Sequence, residues 1–173
     1  TMKFPLREQR GEALLVWTTT PWTLTSNVAA AVHPEIIYVK VRHGEEVFWL
    51  AESALDRVFT KKPEVLDRLY GRAMEGWTYD GPFDELPLEQ SSGAVKAHRV
   101  ILWKDVSQTE GTGIVHIAPG CGKEDFDLSK EFGLPAVSPL DDFGVFGSGF
   151  DWLTEMHVYE TAGPIIENLR KKG

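Results

Sequence analysis

Two short segments of the 173-residue chain carry residue types that could do chemistry on a small ligand. In the first, WTTTPWTLTSN, three consecutive threonines precede a proline, and further hydroxyl groups and an amide follow. Side chains of consecutive strand residues alternate sides, so Thr18 and Thr20 are expected on one face and Thr19 on the other. The bend at Pro21 brings Thr23 back toward the same space. Hydroxyl groups donate and accept hydrogen bonds, which suits them to hold a carbonyl, a ribose or a water molecule.

The second segment, GTGIVHIAPGCGKEDF, combines a strand that carries His116 with a loop that enters a helix. The first turn of that helix contains Glu124 and Asp125. Unpaired N–H groups at a helix N-terminus favour the ionised form of a carboxylic acid, so Asp125 is expected to stay anionic and to bind an ammonium group. Simpler interpretations remain open. His116 also fits a hydrogen-bonded core residue, Asp125 fits a residue that complements the helix dipole, and the threonines fit an ordinary β-branched strand and turn.

Charge and cysteine content exclude several other classes of function. The chain has 18 Lys and Arg against 26 Asp and Glu, a net charge of −8, which argues against a module that neutralises many nucleic-acid phosphates. Any RNA contact should therefore be local. The single cysteine, Cys121, permits no internal disulfide or CxxC pattern, and no HExxH motif is present, so we expect no metal site. No apolar run reaches the roughly 18 residues that span a bilayer, which predicts a cytoplasmic protein.

The elements that must position these segments are mostly short strands. Strands are predicted at residues 12–17, 28–32, 36–41, 45–50, 94–103 and 113–117, and helices at 123–132 and 163–172. Residues 52–70 have near-helical apolar spacing around Pro63, which predicts two short helices, and residues 80–93 are predicted to form a long loop. The glycine-rich residues 141–151 fit either a lid over a pocket or a plain hairpin connection. The pattern predicts a mainly β fold with peripheral helices, β-barrel-like, in a single domain over residues 1–173.

Together, WTTTPWTLTSN and GTGIVHIAPGCGKEDF resemble the editing domain that is inserted into the catalytic core of isoleucyl-tRNA synthetases, which are class I synthetases. The resemblance covers essentially the whole chain. In the related valyl and leucyl editing domains the first motif usually contains TTRP followed by an acidic residue. Here Thr20 and Trp22 stand at those two positions, and His116 stands where Lys or Met is usual, which favours the isoleucyl family. Thr25, often Pro in the family, and the loop 120–123 depart from the pattern and leave local loop geometry open.

The resemblance implies an aminoacyl-tRNA ester hydrolase that proofreads valyl-tRNA(Ile) within an isoleucine–tRNA ligase. It also implies a domain excised from a larger synthetase, to which ATP binding and ligation would belong. The implied partners are the 3′ end of tRNA(Ile) carrying valine and the remainder of the parent synthetase, with valyl-adenylate as a second possible substrate. We expect a monomer without a cofactor. Two alternatives remain: a docking module for the aminoacyl-tRNA 3′ end that hydrolyses nothing, and a free-standing hydrolase that edits in trans.

The resemblance assigns the roles residue by residue. Asp125 would bind the α-ammonium group of the substrate, and His116 would wall the side-chain pocket against the extra methyl group of isoleucine. Thr18, Thr19 and Thr20 would hold the ester carbonyl or a water molecule. Thr23 and Asn27 would shape the pocket from behind, and Trp17 and Trp22 would flank the terminal adenosine. For the two tryptophans, packing under the motif is an equal alternative.

Overall fold

Short strands and short helices make up the regular structure, and the computed structural model describes all residues from 1 to 173. The strands are β1 (Met2–Pro5), β2 (Glu12–Val16), β3 (Ala29–Val32), β4 (Ile37–His43), β5 (Glu46–Ala51), β6 (Glu64–Tyr70), β7 (Val100–Leu102) and β8 (Ile114–Ile117). The α-helices are α1 (Leu55–Val58), α2 (Pro87–Ser92), α3 (Ala94–Ala97), α4 (Lys123–Phe132) and α5 (Ala162–Lys172). Short 3-10 helices lie at Pro21–Ser26, Glu52–Ala54, Gly71–Met74, Asp151–Leu153 and Val158–Glu160. None of the helices is both long and apolar enough to span a membrane.

The larger sheet has five strands in the order β1-β2-β5-β4-β6. Its pairs are antiparallel except for β2 and β5, which run parallel with Leu14 opposite Trp49. Continuous apolar stretches in β2 and β5 are buried, as expected for strands that are covered by other elements. The sheet is therefore mixed.

The smaller sheet has three strands in the order β7-β3-β8. Its central strand, β3, consists of three alanines and Val32, and all four residues are buried. Small side chains let neighbouring elements approach this strand closely on both faces. Each sheet has an edge strand at either end, and the closure of these strands into a barrel stays a prediction.

The chain forms two compact units, each built from three separate segments. The first unit contains Thr1–Thr18, Ala29–Asp80 and His98–His116, and the second contains Thr19–Val28, Gly81–Ala97 and Ile117–Gly173. The prediction of one domain over residues 1–173 stays a prediction.

Aromatic stacking organises the core of the first unit. The ring of Tyr79 lies between Phe4 and His98, at centroid distances of 4.9 Å and 5.0 Å. The buried hydroxyl of Tyr38 donates a 2.6 Å hydrogen bond to the carbonyl of Gly113 and accepts one of 3.0 Å from the N–H of His33. Burial raises the pKa of this phenol. These contacts fix the glycine turn directly before β8.

Packing of α5 on the 3-10 helix Pro21–Ser26 is a central feature of the second unit. Leu24 of that helix and Ile165 of α5 are fully buried. Phe146 and Phe150 are also buried and meet edge to face at 5.3 Å. The 3-10 helix Pro21–Ser26 of the threonine motif is therefore packed against buried apolar side chains.

Three predicted elements were wrong. Residues 64–70 form strand β6 rather than a helix, because β4 offers an unpaired edge with which they pair antiparallel. The predicted loop 80–93 contains α2, which begins at Pro87. The first part of the predicted strand 94–103 is α3, and only β7 is extended. The predicted α4 was confirmed at both ends, with Gly133 in the left-handed conformation (φ 63°) that ends the helix.

The glycine-rich residues 141–151 form a tight connection that favours the hairpin interpretation over a lid. Leu140 and Phe146 make an antiparallel bridge, and Oδ1 of Asp141 accepts hydrogen bonds from the N–H groups of Phe143 and Val145, both at 2.9 Å. The buried ring of Phe146 anchors one end of this turn.

Candidate functional site

The threonine segment leaves its strand earlier than the sequence predicts. Strand β2 ends at Val16, so Thr18, Thr19 and Thr20 lie beyond it, and the expectation that they continue the strand was wrong. The bend at Pro21 was confirmed, because this residue begins a 3-10 helix. Thr23 turns back as expected: its Oγ1 donates to the carbonyl of Thr20 at 2.8 Å and lies 3.4 Å from Oγ1 of Thr20.

Exposure divides this segment into two groups. Thr19 and Thr20 are exposed and Thr18 is half-buried. Thr23 and Asn27 are buried, at 8% and 1% exposure. The backbone N–H of Asn27 donates to the carbonyl of Leu24 at 3.3 Å, which closes the 3-10 helix. In the second unit, the exposed Thr19 and Thr20 therefore precede a turn whose later residues are buried.

Trp17 and Trp22 are both half-buried. Gly111, at φ +55°, lies so close to Trp17 that a Cβ there would be 2.7 Å from Cδ2 of the indole ring. Because a Cβ would not fit there, Gly111, the first glycine of GTG, is required for this close packing. The ring of Trp17 thus packs against Gly111, and its role beside the threonine motif stays a prediction. The carbonyl of Trp22 accepts a 2.7 Å hydrogen bond from Oγ1 of Thr25, which fixes the backbone of this turn.

His116 lies in β8 with only 8% of its surface exposed. Burial lowers the pKa of this imidazole to about 4, so the ring is neutral at physiological pH. A general base should instead have a pKa near the working pH. The burial therefore suits a residue that fills space more than one that transfers protons.

Asp125 is the third residue of α4, after the capping position Gly122. Its Oδ2 accepts a 2.8 Å hydrogen bond from the N–H of Ala118. Burial raises the pKa of this carboxyl, and the hydrogen bond from Ala118 opposes that rise. The stabilising donor is thus in the loop before the helix. The pKa of Asp125 is raised, which is opposite to the direction that the sequence argument expected from the helix terminus, because burial outweighs the hydrogen bond from Ala118.

The loop between β8 and α4 is held by Gly120. A Cβ at this position would lie 1.9 Å from the carbonyl oxygen of Val137, so only glycine fits. The N–H of Cys121 donates to the carbonyl of Ala118 at 2.9 Å, which completes a tight turn. This turn sets the direction in which α4 leaves and hence the position of Asp125.

The two motifs meet in both units of the chain. In the first unit, Trp17 makes a parallel bridge to Val115. In the second, the N–H of Val28 donates a 2.9 Å hydrogen bond to the carbonyl of Ile117. The predicted site residues are divided between the units. Trp17, Thr18 and His116 belong to the first unit, and Thr19, Thr20, Trp22, Thr23, Asn27 and Asp125 belong to the second.

Sequence reasoning gave no role to three polar residues of the second unit: Ser26, Glu89 and Cys121. Ser26 is fully buried although it ends a segment already singled out for its hydroxyl groups. Glu89, at 2% exposure, lies in α2, where no helix was predicted. Its burial raises its pKa to about 9, and the neighbouring charge of Asp84 adds to this rise. No sequence pattern signals a buried glutamate.

Comparison with known sequences gives close relatives over the whole chain. The chain is 43% identical to the isoleucine–tRNA ligase of Pyrococcus horikoshii and 44% identical to that of Pyrococcus abyssi, in each case over 99% of this chain and 17% of the relative. It is 42% identical to the isoleucine–tRNA ligase of Methanothermobacter thermautotrophicus, over 99% of this chain and 16% of that protein. The chain therefore spans about 17% of the length of these relatives. No protein-family model matches it.

Comparison with solved structures identifies the fold. The cytosolic leucyl-tRNA synthetase editing domain of P. knowlesi superposes with a TM-score of 0.59 at 14% identity, over 76% of this chain and 61% of that one. The corresponding domain of P. falciparum superposes with a TM-score of 0.53 at 13% identity, over 70% of this chain and 47% of that one.

Proposed function

We propose that this chain hydrolyses the ester bond of mischarged valyl-tRNA(Ile). The chain is homologous to a segment of isoleucine–tRNA ligases and has the fold of leucyl-tRNA synthetase editing domains. The observation that carries the proposal is the meeting of the two motifs through Val28 and Ile117. This bond supports the proposal because, in the second unit, Thr19 and Thr20 precede Val28 in one segment and Asp125 follows Ile117 in the other.

A synthetic site that accepts isoleucine cannot reject valine well. One methylene group discriminates by only about 1–3 kcal/mol, a limit for which isoleucyl-tRNA synthetases are themselves the standard example. A second, smaller pocket solves this problem by admitting valine and excluding isoleucine. In our proposal His116 supplies the exclusion, since a buried and neutral ring is a fixed steric barrier.

The reaction is the attack of a water molecule on the ester carbonyl carbon. The water oxygen forms a bond to that carbon, the bond from the carbon to the ribose oxygen breaks, and the ribose oxygen takes a proton. Valine and free tRNA are the products, without a covalent enzyme intermediate. An aminoacyl ester is already activated, so catalysis by orientation and by hydrogen bonds to the developing oxyanion is sufficient.

The roles follow from exposure and charge. Asp125 binds the α-ammonium group, because an ionised carboxylate and an ammonium form a charge-assisted hydrogen bond. Thr18, Thr19 and Thr20 hold the ester carbonyl or the water through hydrogen bonds from their hydroxyl groups. The buried residues Thr23 and Asn27 keep the turn in shape from behind, and Trp17 and Trp22 flank it.

The tRNA 3′ end is the proposed partner, and the remainder of a parent synthetase is proposed to hold the rest of the tRNA. This division of work agrees with the net charge of −8, because a contact confined to the 3′ end needs few phosphate contacts. Full-length tRNA should therefore bind this chain only weakly. A dissociation constant below micromolar at physiological salt would contradict that expectation.

The direct test is deacylation of valyl-tRNA(Ile) by this chain, with isoleucyl-tRNA(Ile) as the substrate that must be spared. We expect release of valine above the spontaneous rate and no acceleration with isoleucine. Binding of valyl-tRNA(Ile) without acceleration would refute hydrolysis and leave the docking module. Equal hydrolysis of both esters would refute the proposed selectivity.

A further inference from the structure

Residues 141–160 have no role in the proposed reaction, and they carry the two most exposed large apolar side chains of the protein. Phe143 is 82% exposed and Tyr159 is 91% exposed, whereas the other large apolar side chains on the surface are exposed by 37–46%. Both residues belong to the second unit. Scattered apolar residues are common on protein surfaces, but two almost fully exposed rings in one short segment favour burial against a partner.

A backbone hydrogen bond brings the two rings onto neighbouring backbone. The N–H of Val158 donates to the carbonyl of Gly144 at 2.9 Å. Phe143 precedes Gly144 and Tyr159 follows Val158, so each ring is attached one residue away from the same hydrogen bond. The imidazole of His157 stacks on Tyr159 at 4.9 Å, and a Cβ on Gly144 would lie 3.4 Å from its Nε2. We call Phe143, His157 and Tyr159 the aromatic surface.

Hydrogen bonds fix the backbone that presents the aromatic surface. The N–H of Phe143 donates to Oδ1 of Asp141 at 2.9 Å. The N–H of Phe146 donates to the carbonyl of Met156, and the carbonyl of Phe146 accepts from the N–H of Glu155, both at 2.9 Å. Phe146 is itself buried. The rings are therefore presented on ordered backbone, so binding of a partner costs little further backbone entropy.

Charge distinguishes this part of the chain from the rest. Residues 131–169 contain seven Asp and Glu and no Lys or Arg, so they carry −7 of the net charge of −8. Four of these acids lie in the segment that presents the rings, and all four are exposed: Asp141, Asp142, Glu155 and Glu160. None of the four forms an ion pair with a Lys or Arg of the chain.

Exposed rings flanked by carboxylates without a cationic partner are complementary to a cationic protein segment. The face of an aromatic ring attracts a guanidinium group, and a carboxylate beside the ring forms a charge-assisted hydrogen bond with the same group. Arginine suits this arrangement better than lysine, because its planar group stacks on a ring while its N–H groups pair with an acid. A nucleic acid is not complementary, since the carboxylates repel its phosphates.

We propose that the aromatic surface and its flanking carboxylates form a docking site for an arginine-rich segment of another protein. Guanidinium groups of that segment stack on Phe143 and Tyr159 and pair with Asp142 and Glu160. The docking site goes beyond the proposed hydrolysis and does not depend on it, because none of these residues takes part in the proposed reaction.

The first experiment measures the affinity of the unchanged chain for a labelled arginine–serine repeat peptide by fluorescence anisotropy at physiological salt. Lysine–serine and glutamate–serine peptides of the same length are measured beside it. We expect the arginine peptide to bind about two- to fivefold more tightly than the lysine peptide, as one exposed cation–π contact provides, and the glutamate peptide not to bind. Equal affinities for arginine and lysine would show attraction to net charge alone and overturn the proposal.

The second experiment removes the rings one at a time. Phe143→Ala and Tyr159→Ala should each weaken binding of the arginine peptide by about two- to fivefold, and Tyr159→Phe should keep most of the affinity because it keeps the ring. The matched control is Tyr70→Ala, which removes another exposed ring, 46% exposed, that the guanidinium of Arg72 covers at 4.4 Å. An equal loss in Tyr70→Ala, or no loss in Phe143→Ala and Tyr159→Ala, would overturn the docking site.

The third experiment separates local charge from net charge. Asp142→Asn combined with Glu160→Gln should weaken binding of the arginine peptide by about threefold or more and flatten its salt dependence, as expected for two surface ion pairs. Glu45→Gln combined with Glu124→Gln removes two exposed carboxylates elsewhere and changes the net charge by the same amount. This control should leave the affinity nearly unchanged, and equal losses in the two double variants would overturn the proposal.

Other occupants of the aromatic surface have different signatures. A second copy of this chain would give a dimer in sedimentation equilibrium that Tyr159→Ala abolishes, and a single-stranded RNA oligonucleotide would compete with the arginine peptide. Either result would overturn an arginine-rich partner.

The proposed function is tested separately with the same variants. Phe143→Ala and Tyr159→Ala should leave kcat and KM for valyl-tRNA(Ile) unchanged, and a change in either would place the rings in the reaction and overturn a separate docking site. If the unchanged chain deacylates nothing, the proposed function fails, and the peptide titrations still decide the docking site.

Discussion

The N–H of Ala118 donates a 2.8 Å hydrogen bond to Oδ2 of Asp125, seven residues further along the chain. The bond joins the end of β8 to the first turn of α4 across the turn at Gly120. A backbone donor orients the carboxylate and also offsets part of the pKa rise that burial causes. The same hydrogen bond thus fixes the loop to the helix and favours the ionised form of Asp125.

Replacing Asp125 separates those two contributions. Asp125→Asn keeps a side-chain oxygen for Ala118 but removes the charge. We expect kcat/KM for valyl-tRNA(Ile) to fall by about 10- to 100-fold, which corresponds to a charged hydrogen bond of about 1.5–3 kcal/mol, with little change in the unfolding midpoint. Asp125→Ala should lose the same activity and also lower the midpoint.

Glu124 is the matched control for Asp125. It occupies the same first turn of α4, carries the same charge and is exposed. Glu124→Gln should therefore leave kcat/KM unchanged. Wild-type kcat/KM in Asp125→Asn would show that the carboxylate does not bind the ammonium group.

The sequence predicted elements well where local signals agree and poorly where tertiary pairing decides. Helix α4 has acidic residues in its first turn and Gly133 after its last, and both of its ends were predicted. In residues 64–70 the apolar spacing fits a helix as well as a strand, and the edge of β4 selects the strand. The start of α2 was not predicted, because proline and glycine within residues 80–93 favour a loop, although proline is also common in the first turn of a helix.

The same distinction applies to the site. Thr18, Thr19, Thr20 and Asp125 were named from motifs that are local in sequence. The backbone bond between Val28 and Ile117 then brings these motifs together. Glu89 was not predictable, because its burial and its pKa depend on packing among segments that are far apart in sequence.

A smaller residue at position 116 should change selectivity rather than remove activity. His116→Ala removes the ring that is proposed to exclude the extra methyl group, so isoleucyl-tRNA(Ile) should become a substrate while valyl-tRNA(Ile) is still hydrolysed. The ratio of the two kcat/KM values measures this, and a shift of about tenfold or more is expected from the 1–3 kcal/mol that one methylene contributes. The control is His98→Ala, which truncates another buried histidine, 1% exposed and stacked on Tyr79. If His116→Ala still spares isoleucine, the steric role is refuted.

The low pKa of His116 has consequences for rate and for stability. The pKa of the imidazole is about 4 in the folded state and 6.5 in the unfolded state. Between these two pH values the folded protein keeps the ring neutral, and unfolding lets the ring take up a proton. Its contribution to stability is therefore complete above pH 6.5 and is lost as the pH falls toward 4. Urea unfolding between pH 5 and 7 should show this loss, and His116→Gln should reduce it. The deacylation rate should show no inflection from this group near pH 6.5, and an inflection that His116→Gln removes would indicate proton transfer instead.

Two glycines of one loop should respond differently to the same substitution. Gly120→Ala places a Cβ 1.9 Å from the carbonyl oxygen of Val137, so the loop must move and Asp125 with it. We expect destabilisation of at least about 1–3 kcal/mol, as for other overpacked sites, together with loss of deacylation. Gly122→Ala meets no atom closer than Cγ of Asp125 at 4.0 Å, and its φ of −153° is open to any residue. Gly122→Ala should therefore change the free energy of unfolding in urea only slightly. Equal effects of the two substitutions would refute this account of the loop.

Glu89 should make stability depend on pH in the direction opposite to His116. Its pKa rises from 4.5 to about 9 on folding, so the folded state keeps a proton that the unfolded state releases above pH 4.5. Stability is therefore greatest below pH 4.5 for this group and falls as the pH rises toward 9, by up to about 1.4 kcal/mol per pH unit for one proton. Glu89→Gln cannot ionise, and its unfolding free energy, measured in urea between pH 6 and 8.5, should decline less steeply than that of the unchanged chain. Glu124→Gln, a change at an exposed glutamate, should leave the slope as it is. Parallel slopes for Glu89→Gln and the unchanged chain would mean that Glu89 is ionised when folded, which would exclude a neutral acid at this position.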